Sequence, residues 1–182
     1  MLITPLAFFI YSLFFLTFKG LVNIFMSSEL NLNEGESVKF LEGESLKTSL
    51  MLLPFYATEE VSIMVPYLGR GQILNSIINI PNTIEVNIYT RDRKGYLPSI
   101  KNEADPTLNI LKEKKNIKIF IDNKIHAKIW KIDNKIVVVH SMNGTFHSEN
   151  HNFEAGILTN DIKVISDISK YFSKVRKQAS IL

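Results

Sequence analysis

Four short segments rich in β-branched and aromatic residues follow one another between residues 117 and 159, with only short polar stretches between them. They read IKIFID, HAKIWKID, IVVVHSM and FEAGILT. Segments of this length and composition are typical of β-strands. Two earlier segments of the same kind, 61–68 and 84–91, are separated by patterns typical of helices. The chain is therefore predicted to adopt an α/β fold, with a mixed central β-sheet flanked by helices.

Several helices are expected around these strands. The stretch from residue 44 to 60 reads as a helix interrupted near Pro54, and residues 69–80 read as a second helix. DPTLNILKEKK predicts a third helix, with Asp105 as its N-cap and Pro106 at its first position. The last helix is predicted to begin at Asp161, with basic residues in its final turns.

The first 26 residues form a hydrophobic segment. MLITPLAFFIYSLFFLTF has no charge, and after Lys19 the apolar character resumes as far as Met26. This length is sufficient to span a bilayer, so a membrane anchor through residues 2–26 is expected, and with it a membrane-anchored protein. Two alternatives stay open. A signal peptide would make the protein secreted, and a misassigned start at Met26 would leave it cytoplasmic.

The rest of the chain is long enough for one domain with a core. Residues 27–36 are polar and acidic and read as a linker, which leaves 37–182 as the folded domain. The chain has 182 residues, a net charge of +3 and no cysteine. The absence of cysteine excludes disulfides, thiolate zinc sites and cysteine nucleophiles, and the mildly basic balance is compatible with an anionic substrate.

The segment HAKIWKID carries an unusual set of polar residues for a strand. Because side chains alternate along a strand, His126 and Lys128 would share one face and Asp133 would lie on the other. The imidazole and the ammonium would then be about 7 Å apart, close enough for both to reach one phosphate group. The alternative is an edge strand with a mixed polar face, in which lysine discourages edge pairing.

Three further polar residues follow on the next two predicted strands. Asn134 and Lys135 make a tight turn, which would place Ser141 and Asn143 beside the His126 strand. The strand after that brings Glu154 close, and a carboxylate among apolar neighbours needs a partner.

This ordered set resembles the phospholipase D superfamily. The mark of the family is H-x-K-x4-D, followed by a strand that ends in Ser-x-Asn and then by a glutamate. Here the matching residues are His126, Lys128, Asp133, Ser141, Asn143 and Glu154. The resemblance covers roughly residues 36–178 and implies phosphodiester chemistry through a covalent phosphohistidine, with neither a metal nor another cofactor.

The resemblance also implies a role for each residue. His126 would be the nucleophile, and Glu154 would accept a hydrogen bond from its other ring nitrogen and fix the tautomer. Lys128 and Asn143 would bind the non-bridging oxygens, with Ser141 adding a hydroxyl. Asp133 is interpreted as structural, bonding backbone or Lys131.

A second imidazole is needed to protonate the leaving group. The chain has one H-x-K-x4-D motif, and in this it resembles the short single-motif branch of the family, whose members form two-fold dimers with both motifs at the interface. We therefore expect a homodimer in which the active site is shared.

Three other histidines are not given catalytic roles. His140 stands where the family usually has a small residue before the serine; alternation turns it away from the Ser141 face, so it is interpreted as a packing residue. His147 and His151 are spaced for a metal only if they lie on a helix, and the stretch SENHN does not predict one.

Nucleic acid is the expected substrate, because short single-motif members of the family are mostly nucleases of low sequence specificity. The basic residues Arg91, Arg93 and Lys94 would track a phosphate backbone, although the same loop also fits a solvated turn. Two other hypotheses stay open. One is a phospholipid-hydrolysing enzyme at a membrane, and the other is a non-catalytic member of the family that binds nucleic acid.

Overall fold

The computed structural model describes residues 37–96 and 98–182. The strands in these ranges are β1 (Val38–Glu42), β2 (Glu60–Met64), β3 (Glu85–Thr90), β4 (Ile117–Ile121), β5 (Ile129–Ile132), β6 (Ile136–His140), β7 (Ala155–Thr159) and β8 (Ser180–Ile181). The α-helices are α1 (Gly43–Leu52), α2 (Gln72–Ile78), α3 (Pro98–Lys112), α4 (Phe146–His151) and α5 (Ile162–Gln178). Two 3-10 turns lie at Leu53–Tyr56 and Arg93–Gly95.

The strands form one mixed sheet in the order β1-β7-β6-β5-β2-β3-β4-β8. Strands β2, β3 and β4 are parallel, and the other pairings are antiparallel. The parallel part comes from the strands that alternate with helices, whereas the meander β5-β6-β7 comes from the closely spaced segments. The predicted α/β class with a mixed central sheet is confirmed.

The register brings several strand ends to one border of the sheet. Met64 at the end of β2 pairs with Ile129 at the start of β5, and Ile129 pairs with Val139 near the end of β6. The ends of β2, β3, β4 and β6 and the starts of β5 and β7 therefore share this border. We call it the His126 edge. The residues just beyond its strand ends are Val65, Arg91, Lys128, Ser141 and Glu154.

Helix α5 covers part of one face of the sheet. Ile165 and Phe172 of α5 pack in one buried cluster with Met64, Tyr89 and Phe120 of the central strands. Tyr89 and Phe120 stack with their ring centroids 4.8 Å apart. The apolar stripe of α5 follows its helical period, and its N-cap is Asp161, which accepts a hydrogen bond from Val164 N at 2.9 Å. The predicted start of this helix is confirmed.

Two helix predictions were wrong. Helix α3 begins at Pro98, not at Asp105, and Pro106 lies inside it. Pro98 suits a first helical position because its missing N–H has no intrahelical partner there. The cost of Pro106 is tolerated because Leu108 and Leu111 of the same helix are fully buried.

The second wrong prediction concerns α4, a helix that the sequence pattern did not indicate and that contains the SENH stretch. The Thr145 side chain accepts from Ser148 N at 3.4 Å and caps its first turn. Glu149 is buried and accepts from Gln72 N at 2.7 Å, so α4 is fixed to the start of α2. Gly71 precedes that start, and a Cβ there would lie 2.1 Å from the Glu149 carboxylate. The helix thus depends on contacts distant in sequence.

The predicted hydrophobic segment 1–26 and the linker 27–36 lie outside the described residues. Within 37–96 and 98–182, every helix is too short or too polar to cross a bilayer.

Candidate active site

The His126 edge brings together five of the six residues predicted to be catalytic. The β5–β6 ladder continues one step past β5, because His140 N donates to Lys128 O at 3.1 Å. On the other side of β6, Ser141 N donates to Ala155 O at 2.9 Å. The predicted hairpin and third strand are therefore present, and they bring Lys128, Ser141 and the start of β7 side by side.

Glu154 is a buried carboxylate held by three donors. The hydroxyls of Ser141 and Ser148 each donate to it, and Asn152 Nδ2 donates at 3.1 Å. Ser148 and Asn152 were not predicted as part of the site. They come from α4 and from the residue after it, so their role depends on a helix that the sequence pattern did not indicate. The arrangement fixes the Glu154 carboxylate beside Ser141.

Asn143 lies next to this carboxylate. Its backbone N–H donates to Ser148 Oγ at 2.9 Å. Its side-chain Oδ1 is buried and has no hydrogen-bond partner among the described residues. Asn143 also lines a cavity of about 380 Å³, together with Ser99, Ile100, Thr145, His147, Ser148 and Asn152. A buried acceptor beside a polar cavity is suited to contact a ligand group.

Lys128 is half-buried at the centre of the edge. Its ammonium donates to His126 O at 3.3 Å. Burial lowers the pKa of Lys128 below the ordinary lysine value, and the charge of Glu154 partly offsets this. The ammonium can therefore bind an anion in a place where water screens its charge only partly.

His126 differs from its predicted setting in two respects. It precedes β5, which begins at Ile129, and its side chain is exposed. Among the described residues its imidazole has no hydrogen-bond partner, and the donors to Glu154 are Ser141, Ser148 and Asn152. The expected contact between Glu154 and His126 is thus not made within one chain.

Asp133 lies at the other end of β5, away from the His126 edge. Its carboxylate accepts from the backbone of Thr58, Glu59 and Glu60 at 3.1, 3.0 and 2.9 Å, and from the Thr58 hydroxyl at 2.9 Å. Burial alone would raise the pKa of Asp133, but these hydrogen bonds outweigh burial and hold it below the ordinary value. These hydrogen bonds agree with the interpretation of Asp133 as a structural residue. They connect the β5–β6 turn to the start of β2.

The predicted basic loop follows β3 at the same edge. Arg91 Nη1 donates to the Tyr67 hydroxyl at 3.1 Å, and its guanidinium lies 5.7 Å from the centre of the Tyr67 ring. Arg93 and Lys94 line a separate cavity of about 420 Å³ with Asp92, Lys101 and the last residues of the chain. Strand β3 is two strands away from β5, so Arg91 lies roughly 10 Å from the Lys128 strand.

The remaining histidines have distinct settings. His140 ends β6, and both of its ring nitrogens are buried without a hydrogen-bond partner among the described residues. His147 and His151 both lie on α4, and their ring centroids are 5.3 Å apart. No group of three or more potential metal ligands occurs within residues 37–96 and 98–182.

The chain is similar to known proteins in sequence and in fold. Residues 56–176 match the family described as "Cardiolipin synthase, PLD-like domain". No curated protein matches the chain. NucT from Helicobacter pylori has a similar structure, with a TM-score of 0.66 and 19% identity over 78% of this chain and 96% of its own.

Two further solved structures share the fold. Nuc from Salmonella typhimurium, described as a phospholipase D family member, gives a TM-score of 0.69 and 17% identity over 80% of this chain and 97% of its own. The phosphatidylserine synthase of Haemophilus influenzae gives a TM-score of 0.67 and 16% identity, and the match spans 80% of this chain and 40% of the synthase.

The family match covers well over half of the chain and contains the whole of the His126 edge from Val65 to Glu154. The resemblance first indicated by the H-x-K-x4-D motif is therefore confirmed, and the chain belongs to the PLD-like domain family of the phospholipase D superfamily.

Proposed function

We propose that the protein is a metal-independent phosphodiesterase, a low-specificity endonuclease that acts through a covalent phosphohistidine on His126. One observation carries the proposal. An exposed imidazole stands at the same sheet edge as a half-buried ammonium, Lys128, and a caged carboxylate, Glu154. The imidazole supplies a nucleophile, the ammonium supplies a fixed positive charge, and the carboxylate supplies a negative charge that can stabilise a charged imidazole. None of these roles requires a divalent ion.

In the first step the neutral imidazole of His126 attacks the phosphorus atom. An N–P bond forms as the bond from phosphorus to the leaving oxygen breaks, and charge develops on the non-bridging oxygens. Lys128 and the Asn143 side chain stabilise that charge. In the second step water attacks the phosphohistidine, the N–P bond breaks and the His126 imidazole is free again. The group that protonated the leaving oxygen in the first step takes the proton from the water.

The leaving oxygen needs a proton, and we assign this to the His126 of a second copy. Among the described residues of one chain His126 has no carboxylate partner, whereas Glu154 is ordered by three donors of its own. A two-fold dimer with the two His126 edges facing each other would supply both the acid and a carboxylate for each imidazole. The incomplete site of the single chain supports this part of the proposal.

A row of exposed apolar side chains on the sheet also supports a dimer. One register row crosses the sheet from Phe120 through Tyr89, Met64, Ile129, Val139 and Ile157 to Phe40. Its first four members are buried, and they pack in the α5 cluster. Phe40, Val139 and Ile157 are 64%, 44% and 47% exposed. We call these three side chains the apolar row; contiguous exposed apolar surface of this kind is typical of interfaces.

Nucleic acid is the proposed substrate class. The family branch that the single motif resembles consists mostly of nucleases, and the net charge of the chain is +3. Arg91, Arg93 and Lys94 follow β3 at the His126 edge, where they would contact phosphates flanking the cleaved bond.

A phospholipid diester is the second candidate. The matched family is described for cardiolipin synthase, and a phosphatidylserine synthase shares the fold. An anchor through residues 2–26 would keep the site near lipid. We keep nucleic acid first because the basic loop lies on the same edge as His126.

The test compares the full chain with His126→Ala on single- and double-stranded DNA, RNA and phosphatidylcholine micelles, all in excess EDTA. Cleavage of nucleic acid that persists in EDTA and is lost in the variant is the expected result. Residual activity above about a thousandth of wild type in His126→Ala would contradict the nucleophile role. His151→Ala, which removes an exposed histidine of α4, is the matched control.

The other results separate the alternatives. Turnover of lipid alone would favour the membrane enzyme. Binding of nucleic acid without cleavage, unchanged in His126→Ala, would favour a non-catalytic member of the family.

A further inference from the structure

His140 occupies a position that the family usually gives to a small residue, and its surroundings differ from those of a simple packing side chain. It ends β6 and lies between Lys128, which directly precedes β5, and Gly156 on β7 in one register row. A Cβ on Gly156 would approach His140 Cβ to 2.8 Å. Glycine across from His140 thus leaves room for the histidine in this row.

The two ring nitrogens of His140 are enclosed, although the residue as a whole is half-buried. Neither ring nitrogen is accessible to solvent, and neither has a hydrogen-bond partner among the described residues. Burial is the main cause that lowers the pKa of His140 to about 3, and the positive charge of Lys128 lowers it further. The backbone of Met142 opposes this shift, through a contact with the ring whose geometry falls short of a hydrogen bond. The ring is therefore neutral at physiological pH, with one nitrogen that can accept a hydrogen bond.

Lys128 is the nearby group that can donate to this ring. His140 N donates to Lys128 O at 3.1 Å, so the two residues are opposite each other across neighbouring strands and their side chains share one face of the sheet, and an ammonium has three donors. In the free protein one of them goes to His126 O, at the long distance of 3.3 Å. A buried polar group without a partner is uncommon in folded proteins and needs an explanation.

We propose that His140 is a positioning residue, whose ring nitrogen accepts a hydrogen bond from the Lys128 ammonium when that ammonium binds a phosphate oxygen. The inference rests on the proposed function. It adds a hydrogen-bond acceptor for Lys128 at a position where the family usually has a small residue. His140 does not contact substrate. It fixes the direction of the ammonium from behind, as Ser141, Ser148 and Asn152 fix the Glu154 carboxylate.

The test separates a hydrogen-bonding role from a packing role. His140→Leu keeps a buried side chain of similar size without a nitrogen, and His140→Gln restores a polar group. His140→Met serves as a second apolar variant in case the leucine disturbs folding, which circular dichroism will show. His151→Leu is the matched control on an exposed histidine.

Two readouts are used on the full chain. One is the affinity for inorganic phosphate, measured by calorimetry, and the other is kcat/KM for a chromogenic phosphodiester in EDTA. We expect His140→Leu to weaken both by about tenfold and His140→Gln to stay within about threefold of wild type. In a Lys128→Ala background His140→Leu should have no further effect, because its role passes through the ammonium.

Equal values for wild type and His140→Leu, or an undiminished effect of His140→Leu in the Lys128→Ala background, would overturn the inference. The two proposals can fail separately. A wild-type chain that cleaves no phosphodiester counts against the proposed function, and phosphate affinity then tests His140 alone. In that case equal affinities, or no measurable binding by wild type, would overturn the role of His140.

Discussion

Ser148 joins Asn143 to Glu154. Its hydroxyl accepts a hydrogen bond from Asn143 N at 2.9 Å and donates one to the Glu154 carboxylate. Both Ser148 and Glu154 are buried. One hydroxyl therefore connects two of the residues that the phospholipase D motif requires, and it sets the position of each relative to the other.

Ser148→Ala is expected to lower the free energy of unfolding by about 1–3 kcal/mol, because it leaves the partly buried backbone N–H of Asn143 without its partner and removes one donor from Glu154. Phosphodiester turnover should fall as well, since the Glu154 carboxylate and Asn143 are no longer connected through the Ser148 hydroxyl. Urea unfolding and an activity assay in EDTA measure the two effects. Ser173→Ala is the control, since that exposed serine of α5 bonds only within its own helix. An unchanged unfolding free energy in Ser148→Ala would argue against this connection.

Asp133→Asn is expected to destabilise the fold by about 3 kcal/mol, because four hydrogen bonds to a buried carboxylate are weakened. The pKa of Asp133 is lowered in the folded state. Its stabilising contribution is therefore complete above the unfolded-state pKa and is lost as the pH falls through the lower folded-state pKa.

The measurement for Asp133 is the unfolding free energy of wild type and variant from neutral to acid pH. The difference between them should shrink as the pH falls below about 4. The exposed Asp167, paired with Lys170 at 2.9 Å, provides the control variant Asp167→Asn. A difference that stays constant over this range would show that the charge of Asp133 is not what stabilises the turn.

Much of the fold follows from local patterns. Strand β7 and helix α5 were predicted because their apolar periods are clear and Asp161 is a strong N-cap. The meander was predicted from the short connections between its strands. The start of α3 was not, because Pro106 is a strong local signal for a helix start, and its cost is offset only by the burial of Leu108 and Leu111.

The placing of the candidate residues at one edge of the sheet was predicted, and the contacts that support them were not. Lys128, Ser141 and Glu154 could be placed by alternation along three strands. The cage around Glu154 could not, since Ser148 and Asn152 reach it through α4, which is held by Thr145 and by the contact of Glu149 with α2. The separation of His126 from Glu154 also depends on tertiary geometry, because β5 begins only at Ile129.

His140 should make the protein sensitive to acid. Its pKa is about 3 in the folded chain and near 6.5 when unfolded, so the unfolded state binds more protons between these values. Stability therefore falls as the pH drops below 6.5. Between pH 7 and pH 5 this one group should cost about 2 kcal/mol of unfolding free energy.

The comparison for this effect is His140→Gln, which has no titrating ring. Its unfolding free energy should fall less than that of wild type over the same two pH units. Parallel curves for the two proteins would contradict a buried, neutral His140.

Phe40→Glu is expected to convert a dimer into a monomer. The change places a charge in the apolar row, where Phe40 and Ile157 are adjacent across β1 and β7. Sedimentation of the full chain in detergent measures the oligomeric state. Ile110→Glu is the control, because Ile110 is 46% exposed on α3 and lies outside the row. A wild-type monomer with full activity would contradict the shared site.

The central claim is that the phosphoryl group passes through His126. The most direct measurement cleaves a chiral phosphorothioate diester in water labelled with a heavy oxygen isotope, which makes the product phosphorus chiral, and determines its configuration. Each displacement inverts the centre, so attack by His126 followed by attack by water predicts net retention, and this turnover should vanish in His126→Ala. Net inversion would mean that water attacks directly, and it would contradict the covalent mechanism.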